Sequence, residues 1–258
     1  MHKNKLKEKL LNGNRVIGCD LTFSSPFVAE LIAEVGFDFM IINCEYSPVS
    51  DDQAEHMIRA AFARDLIPLA AVRHEADYYG CRRLLDRGAM GIVMPSVRSA
   101  EDAQRFVEAC KFVPNGNRDQ CGWIQTNDFG LHRTPKEYSQ FANQETLCIA
   151  LCENKESIDC IDQIAAVPGI DIVWIGAGNL SAELGWPGQE TMDKIVSEMA
   201  TKISNQGKIV GAATRYGNID QLDKDNINFA VTIAHDQLKQ AFLKYLEPFK
   251  TKDPSNNG

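Results

Sequence analysis

Residues 67–94 read IPLAAVRHEADYYGCRRLLDRGAMGIVM, and this stretch decides the fold. Residues 67–72 are a short apolar run of strand length, with Pro68 at its edge. Residues 77–87 form the next helix, which Gly88 closes. Residues 91–94 are apolar again and make a second strand. Such continuous apolar runs suit parallel strands buried on both faces. The alternation extends outward in both directions. Upstream, strands fall at 16–23 and 37–44. Between them a helix over 26–35 puts Val28, Leu31, Ile32 and Val35 on one face and stops at Gly36. A helix over 51–64 follows, opened by Ser50 or Asp51. Downstream, Ser99 caps a helix over 100–111. Strands follow at 146–152, 171–175, 209–213 and 229–233, with helices at 156–166, 190–205, 219–224 and 235–250. Residues 112–145 are the longest irregular stretch and hold a short helix near 135–143. Eight strands, each followed by a helix without a break in composition, predict an α/β fold. It is a single (β/α)8 TIM barrel over residues 1–250, with a disordered tail over 251–258. A doubly wound open sheet is the alternative. It would advertise a glycine-rich phosphate turn, and the chain has neither GxGxxG nor GxxxxGK(S/T).

The 258 residues are 44% hydrophobic and 24% charged, which excludes collagen-like and disordered classes. Net charge is -8, with no basic block. The footprint of nucleic-acid binding is missing, so no such partner is expected. No apolar run approaches the roughly 18 residues of a membrane span, so no membrane is expected either. The N-terminal MHKNKLKEKLLNGN is basic but lacks the apolar core of a signal peptide. It reads as a short amphipathic helix with Leu6, Leu10 and Leu11 on one face. Eight cysteines form no CxxC pair, and several lie inside apolar runs. Buried, reduced thiols of a cytoplasmic protein fit them better than a disulfide framework.

In such a barrel the active site gathers at the C-terminal ends of the strands. Asn43, Cys44, Glu45 and Tyr46 close the second strand, and Arg73, His74 and Glu75 the third. Glu153 closes the fifth, Gly176, Ala177, Gly178 and Asn179 the sixth, and Thr214 and Arg215 the seventh. Glu153 at the mouth suits a hard cation such as Mg²⁺ or Mn²⁺; a solvated charge or a lysine pair is the plainer alternative. Arg73 can grip a carboxylate or an enolate oxygen, or tie two loops together. The glycines around Asn179 free the backbone to approach a ligand, or simply make a turn before a helix. Tyr46 could give or take a proton if its pKa were lowered, or only pack. His235 reads as a residue at the start of the last helix.

Taken together, these segments resemble the HpcH/HpaI aldolase family of the pyruvate/phosphoenolpyruvate barrel superfamily. The matching stretches are AELIAEVGFDFMIINCEYSP, the strand with Arg73, LLDRGAMGIVMPSVRSAEDA, FVPNGNR, LCENKESI around Glu153, and IAAVPGIDIVWIGAGNLSAELG. The resemblance implies making or breaking a carbon–carbon bond beside a 2-oxo acid such as pyruvate. It implies a divalent metal, Mg²⁺ or Mn²⁺, that stabilises the enolate, an arginine on the developing oxygen charge, and a histidine–aspartate base. It also implies a homo-oligomer, hexamer or trimer, with the last helix exchanged between subunits. Carried onto this chain, Arg73 matches the arginine, Glu153 the first metal ligand, Glu45 the acidic residue after the second strand, and Asp86 a supporting acid. Gly176, Ala177 and Gly178 match substrate-binding backbone. The chain departs from the pattern in three segments. The motif Asp-x-Glu-His reads Asn43-Cys44-Glu45-Tyr46, the second metal-ligating aspartate is Asn179, and the glutamine two residues before Glu153 is Leu151. A cation here keeps one anionic protein ligand and is held weakly. A metal-dependent aldolase-like lyase is the first expectation. A metal-independent condensation of the citrate-synthase-like branch, with Glu153 as acid/base, is the second, and a non-catalytic protein that keeps the pocket the third.

Overall fold

The computed structural model describes residues 1–214 and 219–250. The elements in chain order are α1 (Lys5–Leu11), β1 (Val16–Leu21), α2 (Pro26–Val35), β2 (Phe39–Asn43), α3 (Asp51–Phe62), β3 (Ile67–Ala71), α4 (Tyr78–Asp86), β4 (Gly91–Met94) and α5 (Ala100–Cys110). Then come α6 (Pro135–Glu145), β5 (Leu147–Cys152), α7 (Lys155–Ala166), β6 (Ile172–Ile175), α8 (Ala177–Glu183), α9 (Gln189–Asn205), β7 (Ile209–Ala213), α10 (Ile219–Lys224), β8 (Ile227–Ile233) and α11 (Ala234–Lys250). The eight strands run parallel and close in sequence order, β1 pairing with both β2 and β8. This is the expected barrel. Arg215 and the expected tail over 251–258 lie outside the described residues.

Period-two alternation sorts each strand into a lumenal and an outer set. Phe39 and Ile41 of β2, Ile67, Leu69 and Ala71 of β3, Leu147 and Ile149 of β5, and Phe229 and Val231 of β8 share one buried lumenal cluster. Phe39 stacks on Phe229 with ring centroids 4.4 Å apart. Gly18 makes room for that stack, since a Cβ there would lie 2.1 Å from the Phe39 ring. The same alternation carries Asp20, Asn43, Arg73 and Glu153 to the lumenal side at the C-terminal rim. α1 plugs the opposite mouth, with Leu6 and Leu10 buried in the lumenal cluster. Asn4 caps it by accepting the Lys7 N–H at 3.1 Å.

Several local expectations need correction. Leu11 is 74% exposed; it sits about 100° round the helix from Leu10, off the face that Leu6 and Leu10 share. On α2 the buried residues are Ala29 and Ile32, while Leu31 and Val35 face out. Pro68 is the second residue of β3, in register with Met40 of β2. Within 112–145 a 3₁₀ turn over Gln125–Gly130 precedes α6. Its backbone takes left-handed angles at Asp128 and Phe129, two non-glycine residues whose sequence gives no warning of it.

Candidate active site

Glu153 follows β5 and is 6% exposed. Its Oε2 accepts the Asn179 Nδ2 amide at 2.8 Å, and its Oε1 accepts the Ser96 hydroxyl at 3.3 Å. Gly176 makes the approach possible, because a Cβ at this position would lie 2.5 Å from the Glu153 Cβ. Ala177 and Gly178 open α8 at the exposed rim, one turn ahead of buried Leu180. The Asn179 Nδ2 also points at the Tyr46 hydroxyl, 3.4 Å away.

The turn after β2 is built around Asn43, which is 7% exposed. Its Oδ1 accepts the N–H groups of Glu45 at 3.1 Å and Tyr46 at 3.0 Å. Its Nδ2 donates to Asp20 Oδ2 at 3.0 Å. The Ser47 hydroxyl donates to the Asn43 carbonyl. The turn leaves Glu45 half-buried and Tyr46 exposed. Burial, reinforced by the charge of Glu153, lifts Glu45 to about 7. Burial also raises Glu153, against the hydrogen bonds from Asn179 and Ser96. Asp20 is lifted to about 6 by burial, against the hydrogen bond from Asn43. Tyr46 is raised too, chiefly by desolvation, so even less of it is ionised at neutral pH than of a free phenol.

Arg73 leaves the end of β3 on the same rim but turns aside. Its Nη2 lies 3.4 Å from Asp51 Oδ1 and 3.5 Å from the Val49 carbonyl. Asp51 also pairs with Arg83 and, at 3.8 Å, with Arg87. Asp86 is elsewhere. It closes α4 beside the start of β4, where it pairs with buried Arg118 at 2.5 Å and with Arg82 at 3.6 Å. Arg118 in turn covers the Phe112 ring, 4.5 Å from its centroid. The structure therefore brings Asn43, Glu45, Tyr46, Glu153 and Asn179 together. It holds Arg73 at the margin and places Asp86 at the other end of the barrel. His235, the second residue of α11, shares a hydrogen bond with Thr22 at 3.0 Å.

Two residues here escaped the reading of the sequence. Ser96 follows β4 with a left-handed backbone, φ 53°. Asp20 sits inside an apolar strand, and its signal was the lumenal series Val16, Gly18, Asp20, which puts a carboxylate where the barrel interior meets the mouth.

Comparison with known proteins gives the family of the chain. The HpcH/HpaI aldolase/citrate lyase family matches residues 17–235. The chain belongs to that family. It is thus an enzyme of the carbon–carbon lyase kind, built on the family's barrel. A hydroxypyruvate/pyruvate aldolase of Roseobacter denitrificans is 30% identical over 236 residues, covering 90% of this chain and 91% of the relative. The crystal structure of an HpcH/HpaI aldolase from Desulfitobacterium hafniense superposes with a TM-score of 0.89 at 27% identity, over 98% of this chain and 99% of that one. The crystal structure of the citrate synthase SbnG superposes with a TM-score of 0.85 at 28% identity, over 96% of this chain and 98% of that one.

Proposed function

We propose that the rim site binds a pyruvate-type 2-oxo acid and carries it through its enolate, to which a carbonyl acceptor adds or from which it leaves. The observation that carries this reading is the pairing of Glu153 with Asn179 across β5 and α8, under a Glu45 lifted to about 7. The donors fit a hard divalent cation such as Mg²⁺ or Mn²⁺. Glu153 offers a carboxylate, and a half-turn of the Asn179 amide brings its oxygen to the same place. Burial raises both Glu45 and Glu153, and the charge of Glu153 raises Glu45 further. Among the described residues no three His, Cys, Asp or Glu side chains form a ready cage. Glu153 and Asn179, one carboxylate and one amide oxygen, would hold such a cation weakly. When bound, the cation polarises the keto oxygen and stabilises negative charge there.

The chain's residues supply the rest. Arg73 swings from Asp51 to the substrate carboxylate or enolate oxygen. Glu45, titrating near neutrality, takes and returns the proton of the acceptor hydroxyl. Tyr46, with its raised pKa, donates a hydrogen bond instead of acting as base. Gly176, Ala177 and Gly178 let the substrate lie against backbone.

A second reading has its own observation. The Asn179 N–H already satisfies Glu153 Oε2, as a cation otherwise would. In that reading Glu153 is the acid/base of a metal-independent condensation, in keeping with the likeness to a citrate synthase. Aldol turnover with pyruvate and a panel of aldehydes tests the function. Glu153→Gln and Arg73→Ala should each abolish it, and normal activity in both variants would sink the proposal.

The assembly is proposed as a homo-oligomer, hexamer or trimer. On α11 only Ala234 is buried, while Leu238, Phe242, Tyr245 and Phe249 stand exposed at helical spacing. Among the described residues no helix is long and apolar enough to cross a membrane. All eight cysteines are free, which supports a cytoplasmic setting for a single-domain enzyme spanning residues 1–250.

A further inference from the structure

We propose that Asp20 is the positioning residue of this site: its buried carboxylate fixes the amide of Asn43, and through Asn43 it shapes the turn that carries Glu45 and Tyr46 to Glu153. The proposal rests on the function proposed above. A continuous chain of contacts supports it. Asp20 Oδ2 accepts Asn43 Nδ2 at 3.0 Å, and Asn43 Oδ1 accepts the Glu45 and Tyr46 N–H groups at 3.1 and 3.0 Å. The Tyr46 hydroxyl then meets Asn179, which binds Glu153.

The chemistry of the two ends explains the role. An asparagine amide can point either way, nitrogen or oxygen first. An ionised carboxylate only accepts, so it forces the nitrogen of Asn43 toward β1. The oxygen must then face the turn, where two N–H groups need an acceptor. Without Asp20 the amide is free to rotate and the turn loses its template. Packing does not account for Asp20. Its Oδ1 is buried with no hydrogen-bond partner among the described residues, an arrangement that costs the folded state. An apolar residue at the same lumenal position would serve the barrel better.

The test pairs Asp20→Ala with Asp20→Asn, since asparagine can still accept from Asn43 Nδ2. Amide hydrogen exchange is read at Glu45 and Tyr46 against Ile41 and Ile42 of β2. Methyl-proton exchange of pyruvate gives kcat and KM. Asp20→Ala should speed exchange at Glu45 and Tyr46 by about tenfold while Ile41 and Ile42 hold. It should lower kcat by about tenfold, with KM within about threefold of wild type. Asp20→Asn should retain both. Unchanged exchange at Glu45 and Tyr46 in Asp20→Ala overturns the proposal. So does an equal loss of kcat in both variants, which would make the charge itself the working part. If the wild type enolises no 2-oxo acid, the functional reading fails, and the amide-exchange arm still decides the role of Asp20.

Discussion

Replacing Asp20 by asparagine should stabilise the protein, and by more as the pH rises. Asp20 is 6% exposed, and burial lifts its carboxyl from 3.8 to about 6 against the hydrogen bond from Asn43. A carboxyl whose pKa is higher folded than unfolded holds its proton more tightly in the folded chain. Its contribution is present at low pH and is lost as the pH climbs from about 4 through about 6. That rise in pKa is worth ~3 kcal/mol at most. Asparagine keeps an acceptor for Asn43 Nδ2 and never ionises, so it escapes the loss. Other titrating groups, Glu45 first among them, move both proteins alike and cancel in the difference. For a barrel of this length ~1 kcal/mol moves Tm by about 2–4 °C, so the gap between the two Tm values should widen by up to roughly 6–12 °C between about pH 4 and about pH 7. Thermal unfolding followed by circular dichroism at matched ionic strength measures it. A gap that stays constant across this range, or that narrows, refutes the placement of an ionised carboxylate in the lumen.

Four further outcomes are expected. Glu45→Gln should remove the rise of kcat/KM with pH through about 7 that a Glu45 base imposes; a pH–rate profile unchanged in the variant excludes that role. Asp51→Asn should release Arg73 from its 3.4 Å contact and lower KM for the 2-oxo acid, and a raised KM would show that Asp51 aims the arginine instead of parking it. Gly176→Ala puts a Cβ against Glu153 and should cost ~1–3 kcal/mol by overpacking while moving that carboxylate; a denaturation midpoint and kcat both equal to wild type would contradict the close approach. Leu6→Ala should destabilise the barrel by ~2–5 kcal/mol without altering KM, because α1 plugs the mouth opposite the site; urea unfolding checks the first half and steady-state kinetics the second.

The barrel was legible because its strands are apolar on both faces and some of its helices stop at glycines. Gly36 and Gly88 mark two of those stops with positive φ, which no pattern of hydrophobicity could disguise. The rim residues after β2, β5 and β6 followed from the fold alone, since strand ends are where such a site gathers. What stayed hidden was contact. Arg73 and Glu153 both belong to the rim, yet nothing in a sequence says that Asp51 competes for the arginine. Asp86 sits in a familiar motif, but its helix carries it to Arg118 and the far mouth. Asp20 was masked by its apolar neighbours, and only the closure of β1 on β2 brings it to Asn43. On α2 and α11 the apolar faces are wider than one chain can bury, so periodicity overstated what lies inside.

On the function proposed above, Glu153 lies at the centre of an enolate-forming site. Methyl-proton exchange of pyruvate in D₂O, followed by NMR with the protein metal-stripped or supplied with Mg²⁺ or Mn²⁺, tests it most directly. Metal should accelerate exchange, and Glu153→Gln should lower it by about 10²–10⁴-fold. Exchange without metal that still needs Glu153 would favour the condensation reading of the same site. Exchange indifferent to Glu153→Gln, or none with pyruvate or any other 2-oxo acid, would contradict the claim.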